Sequence, residues 1–399
     1  MKIIVQKYGG TSVKTSETRE LIARRAVKLK NEGFYPVIVV SAIGREGDPY
    51  ATDTLINLVK SSYEEPSKRD LDLIMSCGEI ISSTIMSSTI RKYGASSVAL
   101  TGFQAGIITD DNFSDANVIR VNPEKILKYL KENNIVVVTG FQGVSENGEI
   151  TTLGRGGSDN TAAILGAALD AESIEIYTDV DGIMTADPRI VSSARVLDTV
   201  TYDEIYQMAI DGAKVVDHKA VEVAKHSNKQ LKIKNTFNDS KGTTIGIDNE
   251  GKMFSKEGLF TAVTAKSDIL QYTIYISSSD YRNEMLLNKM EKEKISIDMI
   301  NFFEDEKVFT IKMEKEKELN KIIEELSLKY EIKYNCSKIA VIGHRINGIP
   351  GVMKRIVLSL SRNSIEILQS SDSNTTIWCL IDSSRKNDAI NVLHNEFNL

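Results

Sequence analysis

The sequence predicts an α/β protein: an open, mostly parallel sheet with helices on both faces to about residue 245, then two βαββαβ units. Three observations carry this. Short apolar runs (IIVQ, PVIVVSA, SVALTG, IVVVTGF, SIEIYTD, LKIKNTF) alternate with helical stretches such as SETRELIARRAVKLKNEG, the rhythm of strands joined by helical crossovers. The stretch GTTIGIDNEGKMFSKEG (242–258) is Gly-rich and polar and marks a boundary. Beyond it two successive groups of strand and helix signals share one plan, which suggests a tandem repeat.

The first element, MKIIVQKYGGTSVKT, is an apolar strand that breaks at Lys7, Gly9, Gly10, Thr11 and Ser12. Backbone amides, hydroxyls and one ammonium at such a break suit phosphate oxygens. It is neither a Walker A loop, because the lysine precedes the glycines and no GK[ST] follows, nor a G-x-G-x-x-G fingerprint. The most telling stretch is TTLGRGGSDNTAA (151–163), which places Gly154, Arg155, Gly156, Gly157, Ser158 and Asp159 directly before a helix-forming run. Glycines permit close backbone approach, a helix start offers free N–H groups, and a guanidinium forks onto carboxylate or phosphate. Asp159 equally suits a helix cap. A third strand exit, IEIYTDVDGIMTADPR (174–189), holds an Asp-Gly turn and then Asp187-Pro188-Arg189. Three polar exits of this kind suit ligand binding at the carboxyl edge of an open sheet.

In the second half, TAVTAKSDILQYTIYIS, SDYRNEMLLNKMEKEKIS, IDMINFF and KVFTIKM precede a Lys/Glu-rich helix. KIAVIGH, PGVMKRIVLSLSRNS, IEILQSS, TTIWCLI and RKNDAINVLHNEF repeat the plan, giving units at 259–334 and 335–399 with strands exchangeable between them. The Lys/Glu run from Glu284 to Lys333 reads as a solvated face.

Composition bounds the function. At 399 residues two or three domains are expected, and 41% hydrophobic with 26% charged residues is globular. A net charge of −6 gives no reason to expect nucleic acid or an anionic membrane as partner. No apolar run approaches ~18 residues, and no signal peptide precedes Lys2. Cys77, Cys336 and Cys379 form no CxxC and suit a reducing cytoplasm. His218, His226, His344 and His394 show no metal-ligand spacing.

KYGGTSV (7–13), SCGE (76–79), GFQG (140–143), TLGRGGSD (152–159), TDVDGIMTADPR (178–189) and GAK (212–214) together resemble the aspartate kinases of the amino-acid kinase family. Residues 337–381 are similar to the ACT regulatory domains of those enzymes, and the whole is most similar to the short, single-function, diaminopimelate-responsive bacterial forms. The resemblance implies the amino-acid kinase fold with ferredoxin-like ACT domains, and ATP- and Mg²⁺-dependent phosphorylation of L-aspartate at the head of lysine, threonine and methionine synthesis. Phosphorylating a carboxylate needs no general base, so cations and amides should dominate the site.

Residue by residue, the resemblance puts Lys7, Tyr8, Gly9, Gly10 and Thr11 at the ATP phosphates, and Thr178, Asp179, Met184, Arg189 and Lys214 at the nucleotide. Arg155 takes the aspartate α-carboxylate, Gly156, Gly157 and Ser158 shape that pocket, and Glu79 accepts from the ammonium. Ser41 and Thr52 line the amino-acid pocket, and Asp159 orients Lys7. The effector (meso-diaminopimelate, lysine or threonine) is expected near Ser296, Asp298, Asn347, Gly348, Ile349, Ser371, Asn374 and Thr375, and a homodimer or larger oligomer through the ACT units. Asp217, His218 and Lys219 stand where the family carries His, Pro and Arg, and Ser277–Asp280 lacks the Pro-Gly kept at Pro350-Gly351. A kinase for glutamate, acetylglutamate or carbamate, or a catalytically silent sensor, are the rival functions.

Overall fold

The computed structural model describes residues 1–213, 215–246, 259–344 and 346–399. It divides into two compact units: Met1–Ile183 with Val196–Ala209 and Lys214–Ser255, and Met184–Arg195 with Ile210–Ala213 and Lys256–Leu399. The sequence reading assigned all of 1–245 to one domain. Instead, two short segments from that range pack with the C-terminal half. The expected boundary stretch lies largely outside the described residues, at 247–258.

Unit one runs β1 (Ile3–Tyr8), α1 (Ser16–Asn31), β2 (Tyr35–Val40), α2 (Thr52–Ser62), α3 (Lys68–Lys92), β3 (Ser97–Leu100), β4 (Ile107–Thr109), β5 (Val118–Val121) and α4 (Glu124–Lys131). It continues with β6 (Ile135–Thr139), β7 (Gln142–Ser145), β8 (Ile150–Thr152), α5 (Gly157–Ala168), β9 (Ser173–Thr178), β10 (Thr199–Val200), α6 (Tyr202–Ile210), α7 (His218–His226), β11 (Leu231–Asn235) and β12 (Thr243–Ile245). Eight strands form one sheet in the order β10-β12-β11-β9-β1-β2-β6-β3, parallel except where β11 meets β12. All six apolar runs read from the sequence are in it.

β-Branched residues fill both faces of its centre, as a sheet covered on both sides requires. Tyr8, Ile38, Val40, Ile135 and Val137 pack with Ile22, Ala23 and Ala26 of α1 and Met86 and Ile90 of α3. α5 packs on the opposite side of β1, β2 and β9 and meets α7. Thr15 starts α1 with a reciprocal capping box to Thr18.

A second sheet, β5-β4-β7-β8, had no clear sequence signal because its strands are short. It is tied to α3 by Asp72, which is fully buried. Asp72 Oδ2 accepts from the N–H groups of Ser114 (2.9 Å) and Thr152 (2.8 Å), and Oδ1 from their hydroxyls. α3 is also long and apolar enough by length and composition to cross a membrane, contrary to expectation. Its buried residues include Asp72, Ser76 and Glu79, which marks it as a core helix of this unit.

Unit two contains β13 (Phe260–Tyr275), α8 (Arg282–Lys292), β14 (Asp298–Phe302), β15 (Glu306–Lys312), α9 (Glu316–Glu325), β16 (Lys329–Gly343), α10 (Val352–Arg362), β17 (Gln369–Asp372), β18 (Thr376–Asp382) and α11 (Lys386–Glu396). These make one six-stranded sheet, β14-β15-β13-β16-β18-β17. The two long strands pass between the halves. Phe260–Lys266 pairs with the end of β16 beside β18, and Ile269–Tyr275 pairs with its start beside β15. Register shifts at Lys266–Ile269, with Asp268 (φ 61) and Asn335 (φ 56) in left-handed conformation, accommodate the crossing. Each half has its own core, one around Tyr272, Phe309 and Ile323, the other around Val341, Ile356 and Leu393. The second core includes Ala186 and Val191 from the inserted segment.

Replacing Asp72 by Ala leaves two buried N–H groups without acceptors and should cost about 3 kcal/mol or more in urea denaturation. Asp72→Asn keeps one acceptor oxygen for both N–H groups and should cost clearly less.

Candidate active site

The site forms where β1, β2 and β6 end and α5 begins. Successive residues of β1 face opposite sides. Tyr8 points into the core and stacks on Tyr177 at 4.6 Å between centroids. Lys7 points to the α5 side, where its Nζ lies 2.6 Å from Asp159 Oδ1. Asp159 is in the first turn of α5, where a negative charge complements the helix dipole, and its Oδ2 accepts from Asp217 N–H at 3.3 Å.

Glycine is required at several of these junctions. Gly154 (φ +74) and Gly156 (φ +71) are left-handed, and a Cβ on Gly156 would lie 2.2 Å from Asp217 Oδ2. Gly10 sits beneath the next loop: its Cβ would meet Gly44 O at 2.4 Å and Ala42 O at 2.7 Å. Gly44 N–H donates to Gly10 O at 3.0 Å and Ser41 N–H to Tyr8 O at 3.1 Å, so the loops after β1 and β2 form one backbone surface.

Glu79 reaches that surface from α3. Its Oε1 accepts from Ala42 N–H at 3.0 Å. Its Oε2 is buried with no hydrogen-bond partner among the described residues. Burial pushes its carboxyl up to about 8. Arg155 is exposed at the head of α5, and its guanidinium has no partner among the described residues. Gly140 and Phe141 close the other side. A Cβ on Gly140 would meet Ser158 Oγ at 2.7 Å, and Phe141, with φ 70, donates its N–H to Thr161 Oγ1 at 3.0 Å.

A partnerless buried carboxylate, a free guanidinium, a paired lysine and a helix start thus surround one loop surface. Known proteins give the family. The amino acid kinase family profile matches residues 2–235 and an ACT domain profile matches residues 331–395. Aspartokinase 1 of Bacillus subtilis is 42% identical, with 100% of each chain covered. The chain belongs to the aspartokinases of the amino acid kinase family. The aspartokinase of Geobacillus stearothermophilus is 36% identical, covering 100% of this chain and 98% of its own. In fold, E. coli aspartokinase III in complex with aspartate and ADP matches at a TM-score of 0.82 over 100% of both chains, at 23% identity.

The other residues expected from the family resemblance fall in different places. Gly9 and Thr11 lie half-buried in the loop after β1, Ser41 half-buried after β2, and Thr52 at the first position of α2. Thr178 and Asp179 end β9, and Asp179 Oδ2 accepts from Arg45 at 2.9 Å. Arg45 was not singled out, although a lone basic residue in the glycine-rich AIGREGD stretch was a signal. Tyr8 departs from expectation: its side chain is fully buried, and its carbonyl already serves Ser41. Met184 and Arg189 lie in unit two, where Arg189 forks onto its neighbour Asp187 at 2.6–3.2 Å. Lys214 is outside the described residues.

The departures from the family motif cluster around α5. Asp217 caps α7 by accepting from Lys219 N–H at 2.9 Å, and burial raises its carboxyl, with the nearby Asp159 charge adding to the effect. Lys219 Nζ pairs with Asp115 at 2.7 Å. The expected effector residues fall into two groups. Asn347, Gly348 and Ile349 are exposed after β16, Thr375 O accepts from Gly343 N–H at 2.9 Å, Asn374 precedes it and Ser371 lies on β17. Ser296 and Asp298 lie at β14, where Asp298 pairs with Lys338 at 2.6 Å. Lys338 and Gly343 are five residues apart on one strand, about 16 Å.

The Glu79 carboxyl predicts a pH effect. The folded chain holds its proton up to about 8, whereas the ordinary value is 4.5. Folding therefore takes up a proton between these values. The contribution is fully present below 4.5 and is lost as pH rises through about 8, on the order of 5 kcal/mol in all. Glu79→Gln, neutral and of the same shape, should remove that slope when urea denaturation is compared across the window.

Proposed function

We propose that this site transfers the γ-phosphoryl group of ATP to the side-chain carboxylate of L-aspartate, giving 4-phospho-L-aspartate and ADP. The observation that carries it is Glu79 Oε2: a buried carboxylate oxygen without a partner, beside the Lys7 loop, is suited to an α-ammonium. An arriving ammonium favours the ionised carboxyl, so aspartate binding exchanges the Glu79 proton for a substrate cation. Arg155 then forks onto the α-carboxylate, with Ser158, Gly156 and Gly157 shaping its surroundings and Ser41 and Thr52 lining the pocket. The acceptor carboxylate attacks phosphorus and needs no base. The work left to the chain is alignment and charge neutralisation.

Lys7, oriented by Asp159, stabilises the charge on the transferring group. The amides of Gly9, Gly10 and Thr11 and the start of α5 add donors. Thr178, Asp179, Met184, Arg189 and Lys214 are assigned to the nucleotide by family resemblance. No group of three or more His, Cys, Asp and Glu is placed to hold a metal among the described residues. When bound, Mg²⁺ would accompany the nucleotide and neutralise charge on its phosphates. The C-terminal unit binds an amino-acid end product, meso-diaminopimelate ahead of lysine or threonine, and joins two copies of the chain in the cytoplasm.

A hydroxamate assay with ATP, Mg²⁺ and each acid tests the reaction. One extra methylene displaces the reacting carboxylate by more than ~1 Å, so aspartate should exceed glutamate by about a hundredfold. Equal turnover of glutamate would overturn the assignment.

Lys7→Ala and Arg155→Ala should separate the two substrates' chemistry. Loss of the lysine should lower kcat by roughly a hundredfold, about 3 kcal/mol, with little change in aspartate KM. Loss of the arginine should raise aspartate KM by ~10²-fold or more. Steady-state kinetics showing interchangeable profiles would refute this division.

A further inference from the structure

Unit two holds the segment Ile210–Ala213, which the chain contributes from between α6 and α7. Three consecutive residues meet three strands of its sheet, β13, β16 and β18. Lys266 Nζ, on β13, donates to Ile210 O at 3.3 Å. Asp211 is fully buried, 2.8 Å from Lys338 Nζ on β16, and accepts from Trp378 Nε1 on β18 at 2.7 Å. Gly212 has φ +112, and a Cβ there would lie 2.2 Å from Ala265 O. No other side chain could sit this close to the β13 backbone without displacing the segment.

Lys338 holds more than Asp211. Its ammonium, almost wholly buried, also lies 2.6 Å from Asp298 Oδ2 and 5.2 Å from the Trp378 ring. The two carboxylates differ in access: the Asp211 side chain is 0% exposed and that of Asp298 58%. A ligand can therefore reach Asp298 and cannot reach Asp211. Burying an ion pair gains little stability over apolar packing, but losing one partner of such a pair is expensive. The arrangement suits placing a segment better than stabilising a fold.

We propose that Asp211 is a positioning residue. Through Lys338 and Trp378 it fixes Ile210–Ala213, from which the chain runs directly into Lys214, and it ties that placement to Asp298 on the edge strand. This rests on the proposed function, in which Lys214 serves the nucleotide and the C-terminal unit the amino-acid effector, which the family resemblance puts near Asp298. An effector ammonium that engages Asp298 withdraws one of two carboxylates from Lys338. The remaining interaction with Asp211 changes with it, and so does the segment that Asp211 holds.

The test uses the full chain with Asp211→Asn, which keeps shape and removes charge. A second variant, Asp211→Leu with Lys338→Met, removes both charges together in case the single change leaves Lys338 buried alone and the chain unfolded. KM for ATP should rise about tenfold while KM for aspartate stays within twofold, a split that general loosening would not give. The concentration of meso-diaminopimelate, lysine or threonine giving half-inhibition should shift about tenfold as well. An ATP KM within twofold of wild type in folded variants would overturn the positioning role. A raised ATP KM with an unmoved effector response would overturn the link to Asp298. If the wild-type chain answers to none of the three amino acids, the effector assignment fails and the ATP KM alone decides the positioning role.

Discussion

The ion pair between Lys7 and Asp159 is the constraint on which the catalytic unit depends. It joins a central strand to the first turn of a helix that lies across that strand, at 2.6 Å and with both groups mostly buried. Asp159 gains from three sources at once: the ammonium, the positive end of α5 and the Asp217 N–H. For the lysine to reach it, β1 must direct Lys7 and not Tyr8 toward α5. The pleat does so, because Tyr8 belongs to the core with α1 and α3. The same helix start is crowded on its other sides. A Cβ on Gly156 would meet Asp217 and one on Gly157 would meet Phe141, so neither position has room for a side chain.

Charge explains why Glu79 belongs beside such a pair. A site that brings a nucleotide and a dicarboxylic amino acid together cannot also hold an ionised, unpaired carboxylate in a dry pocket. Burial keeps the Glu79 carboxyl neutral through the ordinary range, and only an arriving cation makes its ionised form stable. The free chain thus adds no unpaired buried charge to the loops: Lys7 is matched by Asp159 and Arg45 by Asp179, which leaves the Arg155 guanidinium open.

Much of this was legible in residue order. The six strands of the large sheet announced themselves because a sheet covered on both faces needs near-continuous apolar runs, and the loops because a charged residue beside glycines, as at Lys7 and Arg155, gains little packing there. The small sheet did not, since β4 and β8 have three residues each, too few to show alternation. Asp72 was silent for another reason: its four partners come from Ser114 and Thr152, and no spacing in α3 reports them. Tyr8 adjoins the glycine loop in sequence, but the strand turns its side chain inward, which alternation along so short a run does not announce. Arg189 was legible through its motif, and its pairing with Asp187 two residues earlier was not.

The division into compact units is finer than the sequence boundary. Sequence position treats residues 1–245 as one piece, but Thr185 bonds His394 at 2.9 Å and Ala186 and Val191 lie in the core beneath β16 and β18. The same half of the sequence contributes Asp211 to Lys338 and Trp378. Within unit two, β13 and β16 each serve both halves of the sheet, so neither half has a complete set of strands without the other. A packed sheet of this kind has few intermediate arrangements between one register of side chains and another. A carboxylate such as Asp298, at its edge and open to solvent, shares its lysine with the wholly buried Asp211. A change of partner at the edge is therefore felt in the segment that precedes Lys214, because the sheet between them cannot absorb it.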